Sequence, residues 1–261
     1  MEHAKPAPQA IEHEPASTRA PKQARFSFHA ELNDLLPERQ KNREIPLSFN
    51  SGQSVKHLIE SLGVPHTEVE RILVNRSKVD FSYPVQDGDT VAAYPPDEKE
   101  LEALGAAGRG FLLDNHLGRL AGYLRMLGFD CLYRNDYQDD ELAQLAARQE
   151  RVLLTRDVRL LMRSAIQRGY WVRSTIPRQQ LIEVVRRFAL ESRIAPFRRC
   201  LRCNGVLQAV SKEEVLGQLE PLTQKYFDEF HRCPDCTQVY WKGSHYARML
   251  HFIQQTLASQ E

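Results

Sequence analysis

The chain has no apolar run of the length a membrane span requires. It also lacks an excess of either charge. Its 35 Lys and Arg stand against 34 Asp and Glu, so any case for nucleic acid has to be local. Cysteine is scarce, five among 261 residues, which excludes a disulfide-dense secreted scaffold. The opening residues hold no apolar block and do not read as a secretory signal. No G-x-G-x-x-G follows an apolar run, which argues against a dinucleotide-binding unit. The expectation is a cytoplasmic protein in reducing surroundings, without membrane contact.

What is present divides into segments. Residues 1–23 carry Pro6, Pro8, Pro15 and Pro21 and almost no large apolar side chains, the composition of a disordered tail. Residues 24–96 change character. Phe26, Phe28 and Ala30 alternate, as do Ile45, Leu47 and Phe49, giving two strands. Ser54 then caps a helix that puts Val55, Leu58, Ile59 and Leu62 on one face, stopped by Gly63 and Pro65. Ile72–Asn75 and Thr90–Tyr94 supply further strands. This order is that of a β-grasp domain, and with Gly88-Asp89-x-Val91 it resembles the ubiquitin-like sulfur carriers. Those proteins end in Gly-Gly, whereas here Pro95 and Pro96 follow and the chain continues. An interaction module with a protein partner is therefore the better reading than a carrier.

Residues 97–108 are charged and then rich in Ala and Gly, a linker with room for one helical turn. In residues 109–195 short apolar runs alternate with amphipathic stretches. Phe111–Leu113 ends at Asp114, and the helix of Leu117, Leu120, Leu124 and Leu127 closes at Gly128. Phe129–Tyr133 is followed by Asp139, Asp140 and Glu141 opening the next helix. Val152–Thr155 leads to Asp157, then a helix over 158–166. Tyr170–Val172 precedes the helix that Pro177 starts. Repeated β-α units imply a parallel sheet flanked by helices. Asp114, Asp139 and Asp157 then share its carboxyl edge, where open α/β sheets bind ligands.

Three carboxylates at one edge repel unless a cation lies between them, and oxygen ligands suit Mg²⁺ or Mn²⁺. Such an ion can activate water against a phosphate. Thr155 shares a face with Asp157 and could hold a metal-bound water. Asp140 and Glu141 compete with Asp139 for the second acidic position. Arg119, Arg125 and Arg156 are close enough in sequence to meet phosphates. The plainer alternative is that Asp139 and Asp157 are helix caps.

Residues 196–251 hold the pairs Cys200/Cys203 and Cys233/Cys236, with 29 residues between them. That spacing predicts a Cys₄ zinc ribbon whose metal is structural, since four thiolates leave no open coordination position. His231 and His245 are spare imidazoles. Cys131, on a predicted strand, reads as a core residue. Arg198, Arg199, Arg202, Arg232, Lys242 and Arg248 lie near Tyr240, Trp241 and Tyr246. Basic and aromatic residues together suit single-stranded nucleic acid, and a plain solvated ribbon surface is the alternative.

The stretches LLDNHLGRLAGYLRMLGFD, DDEL, LLTRD, RCLRCNG and CPDCTQVYWKGSHYARM resemble the Mut7-C ribonuclease domain, a PIN-like sheet fused to a zinc ribbon. A ubiquitin-like domain often precedes it. The resemblance implies metal-dependent hydrolysis of RNA by Asp114, Asp139 and Asp157, supported by Thr155 and Asp140. From their own charge and aromatic character, Arg119, Arg156, Arg198, Arg199, Arg202, Trp241 and Lys242 are the residues expected to meet RNA. A non-catalytic RNA-binding or adaptor protein is the competing class.

Overall fold

The structure, a computed structural model, describes residues 21–97, 99–101, 103 and 110–258. Residues 1–20 of the expected tail and most of the expected linker lie outside them. At the linker's start, Asp97 and Glu100 cap one another's backbone N–H groups, at 2.8 and 3.0 Å, and begin a helical turn.

The first domain is a five-stranded sheet of order β2-β1-β5-β3-β4. Its strands are β1 (Lys22–Phe28), β2 (Ile45–Phe49), β3 (Arg71–Val74), β4 (Ser77–Val79) and β5 (Thr90–Tyr94). β1 and β5 run parallel and the other pairs antiparallel, the β-grasp arrangement. Helix α1 (Val55–Ser61) is capped as expected, Ser54 Oγ accepting the His57 N–H at 3.3 Å. β4 is an addition to the sequence reading. Asn75 and Arg76, both at positive φ, turn β3 back on itself in a two-residue hairpin.

The second domain carries β6 (Phe111–Leu113), α2 (Gly118–Met126), β7 (Cys131–Tyr133), α3 (Asp139–Gln149) and β8 (Val152–Thr155). It continues with α4 (Val158–Leu161), β9 (Gly169–Trp171) and α5 (Pro177–Arg187). All strand pairs are parallel, in the order β7-β6-β8-β9. The central strands β6 and β8 are buried throughout, because helices cover both faces. Phe111, Leu113 and Leu154 meet α2 and α5 on one face, and Leu112 and Leu153 meet α3 and α4 on the other. Helix α4 is shorter than expected. Past Leu161 the chain turns through short-range bonds and buries Ile166 on its way to β9. Gly128, at φ +93°, must be glycine, since a Cβ there would lie 2.1 Å from the Ala195 carbonyl oxygen.

The third part is an antiparallel meander of β10 (Gln208–Val210), β11 (Phe230–Arg232) and β12 (Val239–Trp241). The short helices α6 (Lys212–Val215) and α7 (Pro221–Tyr226) lie between β10 and β11. The last helix, α8 (Ser244–Ala258), departs from the expected boundary at 251. It leaves the ribbon and returns to the sheet domain, where Ile253 is buried and the Phe252 ring lies 4.9 Å from Tyr123. The ribbon core is only Val215, Leu219, Phe230 and Val239, too small to cover a long apolar helix face.

Each edge strand of the parallel sheet has an outward backbone N–H bonded to a side chain from a flanking part. On β9, the outward Trp171 N–H donates to Glu68 Oε1 at 2.6 Å. On β7, the outward Cys131 N–H donates to Asn204 Oδ1 at 2.9 Å. Glu68 is fully buried and also meets Arg173 at 3.4 Å, so burial raises its carboxyl while that guanidinium opposes the rise. Arg187 pairs with Glu31, Arg173 with Asp34 at 3.0 Å, and His66 Nε2 lies 2.8 Å from the Ile166 carbonyl. The β-grasp domain is thus joined to the sheet by a charged seam. No helix of the described residues is long and apolar enough to cross a membrane.

Candidate active site and cysteine cluster

Strand order 2-1-3-4 places the reversal of direction between β6 and β8, whose carboxyl ends flank the gap where such sheets bind ligands. Asp114 and Thr155 occupy that gap. The Asp114 N–H donates to the Leu154 carbonyl at 3.1 Å, extending the ladder past β6, and the side chain is 5% exposed. The Thr155 hydroxyl donates to Asp114 Oδ2 at 2.7 Å and accepts the Asp157 N–H at 2.9 Å. Its one proton is therefore committed. Thr155, expected to hold a water, instead fixes the carboxylate of Asp114.

The other oxygen of Asp114 accepts no hydrogen bond among the described residues, and beside it in the chain the buried Oδ1 of Asn115 is also without a partner. The Asn115 carbonyl accepts the Tyr133 hydroxyl at 3.1 Å. Uncommitted oxygen atoms on consecutive residues, next to the switch point, are a donor set that a hard cation accepts.

The remaining acids are more open. Asp157 caps α4, its Oδ1 accepting the N–H groups of Arg159 at 2.8 Å and Leu160 at 3.4 Å. Asp139 lies in the first turn of α3 but is not its cap. Arg163, which the sequence reading passed over, pairs with Asp139 at 3.5 Å and with Asp140. Glu141 turns to Arg134 at 3.1 Å and so separates from the other two. Among the described residues, the cysteine quartet is the only group of three or more His, Cys, Asp or Glu whose ligand atoms all lie within 4.8 Å. The aspartates line an open edge rather than a closed cage.

Several cations expected at phosphates are committed to the protein. Arg156 Nη1 donates to the carbonyls of Val172, Arg173 and Ser174 at 2.7–2.9 Å, clamping the chain as it leaves β9. Arg199 bonds the Asn204 carbonyl at 3.1 Å and Asp130 at 3.3 Å. Arg125, buried, holds the carbonyls of Cys131, Leu201 and Arg202. Lys242 pairs with Glu229 at 2.9 Å, while Arg119, Arg198 and Arg202 are exposed.

The four ribbon thiols converge as their spacing predicts, with no disulfide. Cys200 and Cys236 sulfurs are 3.5 Å apart, and those of Cys203 and Cys233 3.3 Å. Zn–S bonds of about 2.3 Å in a tetrahedron put sulfurs roughly 3.8 Å apart, close to the spacing of these two pairs, and all four ligand atoms lie within 4.8 Å of one another. Burial raises the Cys200 thiol, but the Tyr240 hydroxyl and the Cys203 N–H outweigh it and bring it down to about 7. Burial pushes Cys203 up to about 12. Gly205 lets the knuckles meet, since a Cβ there would lie 2.8 Å from the Cys233 sulfur. His231 and His245 stay outside the quartet. Cys131 is fully buried in the sheet core, as expected, and burial drives its thiol upward.

Asn204, at φ +73°, follows the first knuckle and fastens it to the sheet. Besides accepting from Cys131, it donates to Asp130 at 2.8 Å. Burial raises the Asp130 carboxyl, but donation from Arg151 and Asn204 outweighs it and holds the group below its ordinary range.

A parallel sheet with an acid at its switch point, a β-grasp domain on one edge and a cysteine ribbon on the other define the class. The Mut7-C RNAse domain family matches residues 109–253, and the Mut7-C ubiquitin family matches residues 21–100. The chain belongs to the Mut7-C RNAse domain family, with a Mut7-C ubiquitin domain ahead of it. No curated protein matches it. Among solved structures, a Pyrococcus furiosus protein described as molybdopterin converting factor, subunit 1, is 22% identical. The match covers 29% of this chain and 99% of that one, with a TM-score of 0.24. The Haloferax volcanii HVO 2177 protein is 18% identical over 34% of this chain and 96% of that one, with a TM-score of 0.26.

Proposed function

We propose that the protein is a metal-dependent ribonuclease that hydrolyses RNA phosphodiester bonds at the carboxyl edge of the parallel sheet. The observation that carries this reading is the placement of Asp114 at the switch point, with one oxygen fixed by Thr155 and the other uncommitted. Asp139 and Asp157 complete the acidic edge, with Asp140 beside them. A Mg²⁺ or Mn²⁺ ion bound there supplies Lewis acidity that activates water and offsets charge on an attacked phosphate. The Thr155 hydroxyl orients the Asp114 carboxylate toward the edge. Arg163 neutralises Asp139 and Asp140 and is placed to yield them or to face a phosphate.

Zinc on Cys200, Cys203, Cys233 and Cys236 is structural in this reading, and the ribbon grips RNA. Cysteines that hold a metal rather than a disulfide suit a reducing, cytoplasmic setting. The β-grasp domain offers a surface for a protein partner.

A second reading, a non-catalytic RNA-binding adaptor, draws support from the cap made by Asp157 and the ion pairs of Asp139 and Asp140. Incubating defined RNAs with the full chain, with and without Mn²⁺, separates the two. Mn²⁺-dependent cleavage supports the nuclease. RNA binding without cleavage supports the adaptor.

A further inference from the structure

We infer that the cavity between the ribbon and α8 is a nucleobase pocket that seats one unpaired base of single-stranded RNA. This inference rests on the reading of the chain as one that acts on RNA. The cavity, about 300 Å³, opens where β12, the segment before the first knuckle and the first turns of α8 meet. Its walls include Phe197, Tyr240, Trp241, Tyr246 and Met249.

The wall is rigid. Phe197 sits at φ +70°, an unfavourable conformation for a bulky residue, so its surroundings must hold it there. Its ring stands edge-on to His231 at 4.8 Å, to Tyr246 at 5.0 Å and to Tyr240 at 6.3 Å. Tyr240 in turn accepts the Leu201 N–H at 3.1 Å and touches the Cys200 sulfur, so the pocket is built on the cysteine cluster. A preformed aromatic slot loses little conformational entropy when a flat ring enters it.

Three of the lining residues also carry polar groups. The Trp241 indole N–H, the His245 imidazole and the Tyr246 hydroxyl make no hydrogen bond among the described residues. Unpaired bases are recognised by aromatic stacking together with hydrogen bonds to their edges. Charge favours the same ligand. Arg198, Arg202 and Arg248 each lie within one residue of a cavity-lining residue or within one helical turn of one. All three are exposed and pair with no carboxylate among the described residues. An apolar side chain of a protein partner would leave the polar tips unmatched and make no use of the cations. A base carried on a phosphate chain uses both.

The test uses the full chain, zinc-loaded, with Trp171→Phe so that Trp241 is the one tryptophan left. Asp114→Asn prevents cleavage during titration. The probes are a short single-stranded RNA and an abasic ribose-phosphate strand of equal length. Base-bearing RNA is expected to quench Trp241 emission, and the abasic strand to bind about tenfold more weakly without quenching. Tyr246→Leu should lose that same advantage. His245→Ala, at an exposed position, should weaken base-bearing RNA alone and serves where Tyr246→Leu disturbs the ribbon. Equal binding of the two strands, or no quench, overturns the pocket and points to a surface for protein. Mn²⁺-dependent cleavage by the chain with Asp114 intact is measured in parallel. Cleavage without base-dependent binding overturns the pocket and leaves the nuclease reading. Base-dependent quenching without cleavage does the reverse, and absence of both overturns both.

Discussion

The Thr155 hydroxyl lies 2.7 Å from Asp114 Oδ2, a fully buried donor on one central strand holding the acid that ends the other. Because the same hydroxyl accepts the Asp157 N–H, one side chain sets the carboxylate of Asp114 and the backbone at Asp157 together. Thr155 can do both because it ends β8: its side chain faces the neighbouring strand, while its hydroxyl accepts the N–H two residues on, where the chain turns into α4.

Thr155→Val tests that coupling. The shape is nearly kept, but a charge-assisted hydrogen bond is lost, worth about 1.5–3 kcal/mol. Mn²⁺ affinity and cleavage should fall by roughly tenfold or more. Thr155→Ser should restore most of both. Calorimetric metal titration beside single-turnover cleavage checks it, and a Val variant that binds and cleaves normally would remove Thr155 from the site.

Metal on the ribbon should stabilise more than the ribbon. The first knuckle supplies the acceptor for Cys131, so Cys233→Ser or chelation should loosen β7 as well as β10–β12. Hydrogen exchange is expected to show the Cys131 amide losing protection while the Leu154 amide in β8 keeps it. Undiminished protection at Cys131 would mean that the knuckle does not depend on metal for its position.

Asp130 makes the knuckle's attachment sensitive to acid. Its folded-state carboxyl is held below the ordinary 3.8, so the stability it contributes is complete above that value and lost as the pH falls through the lowered one. Corrected for the intrinsic rate at each pH, exchange at the Cys131 amide should therefore rise on acidification below about pH 4. Asp130→Asn should raise it at neutral pH and flatten the dependence, read by the same exchange experiment.

At the opposite edge, Glu68→Ala would leave the Trp171 N–H and Arg173 without their buried acceptor. Truncating one partner of a buried pair costs about 3–5 kcal/mol. The expected result is separation of two folded domains, seen as new protease cleavage between them. One cooperative melting transition, unchanged in temperature, would contradict it.

Much of this architecture was legible in the chain. The runs Phe111–Leu113 and 152–154 are apolar at every position, and their shortness between polar residues fits a strand buried on both faces. The cysteine spacing announced the quartet. The joints between parts were not legible, because they rest on single polar residues with no periodic pattern. Glu68 looks like any surface acid until a strand edge is set against it. Asn204 gives one local sign, a residue tolerant of positive φ directly after a knuckle. Arg163 gave none, since its ion pairs reach back more than twenty residues to α3. Arg156 and Arg199 look like phosphate ligands in sequence, and only the fold reveals the carbonyls they clamp.

The central claim is that Asp114 holds the cation on which RNA hydrolysis depends, and Asp114→Asn tests it most directly. The substitution keeps the shape and the bond from Thr155 while removing the charge. Cleavage of a defined RNA in Mn²⁺ should fall by orders of magnitude, with the melting temperature held or raised as repulsion along the acidic edge eases. Asp140→Asn, at the more exposed of the two carboxylates on Arg163, should have much less effect. Cleavage by the Asp114 variant at the wild-type rate, with contaminating nuclease excluded, would contradict the account.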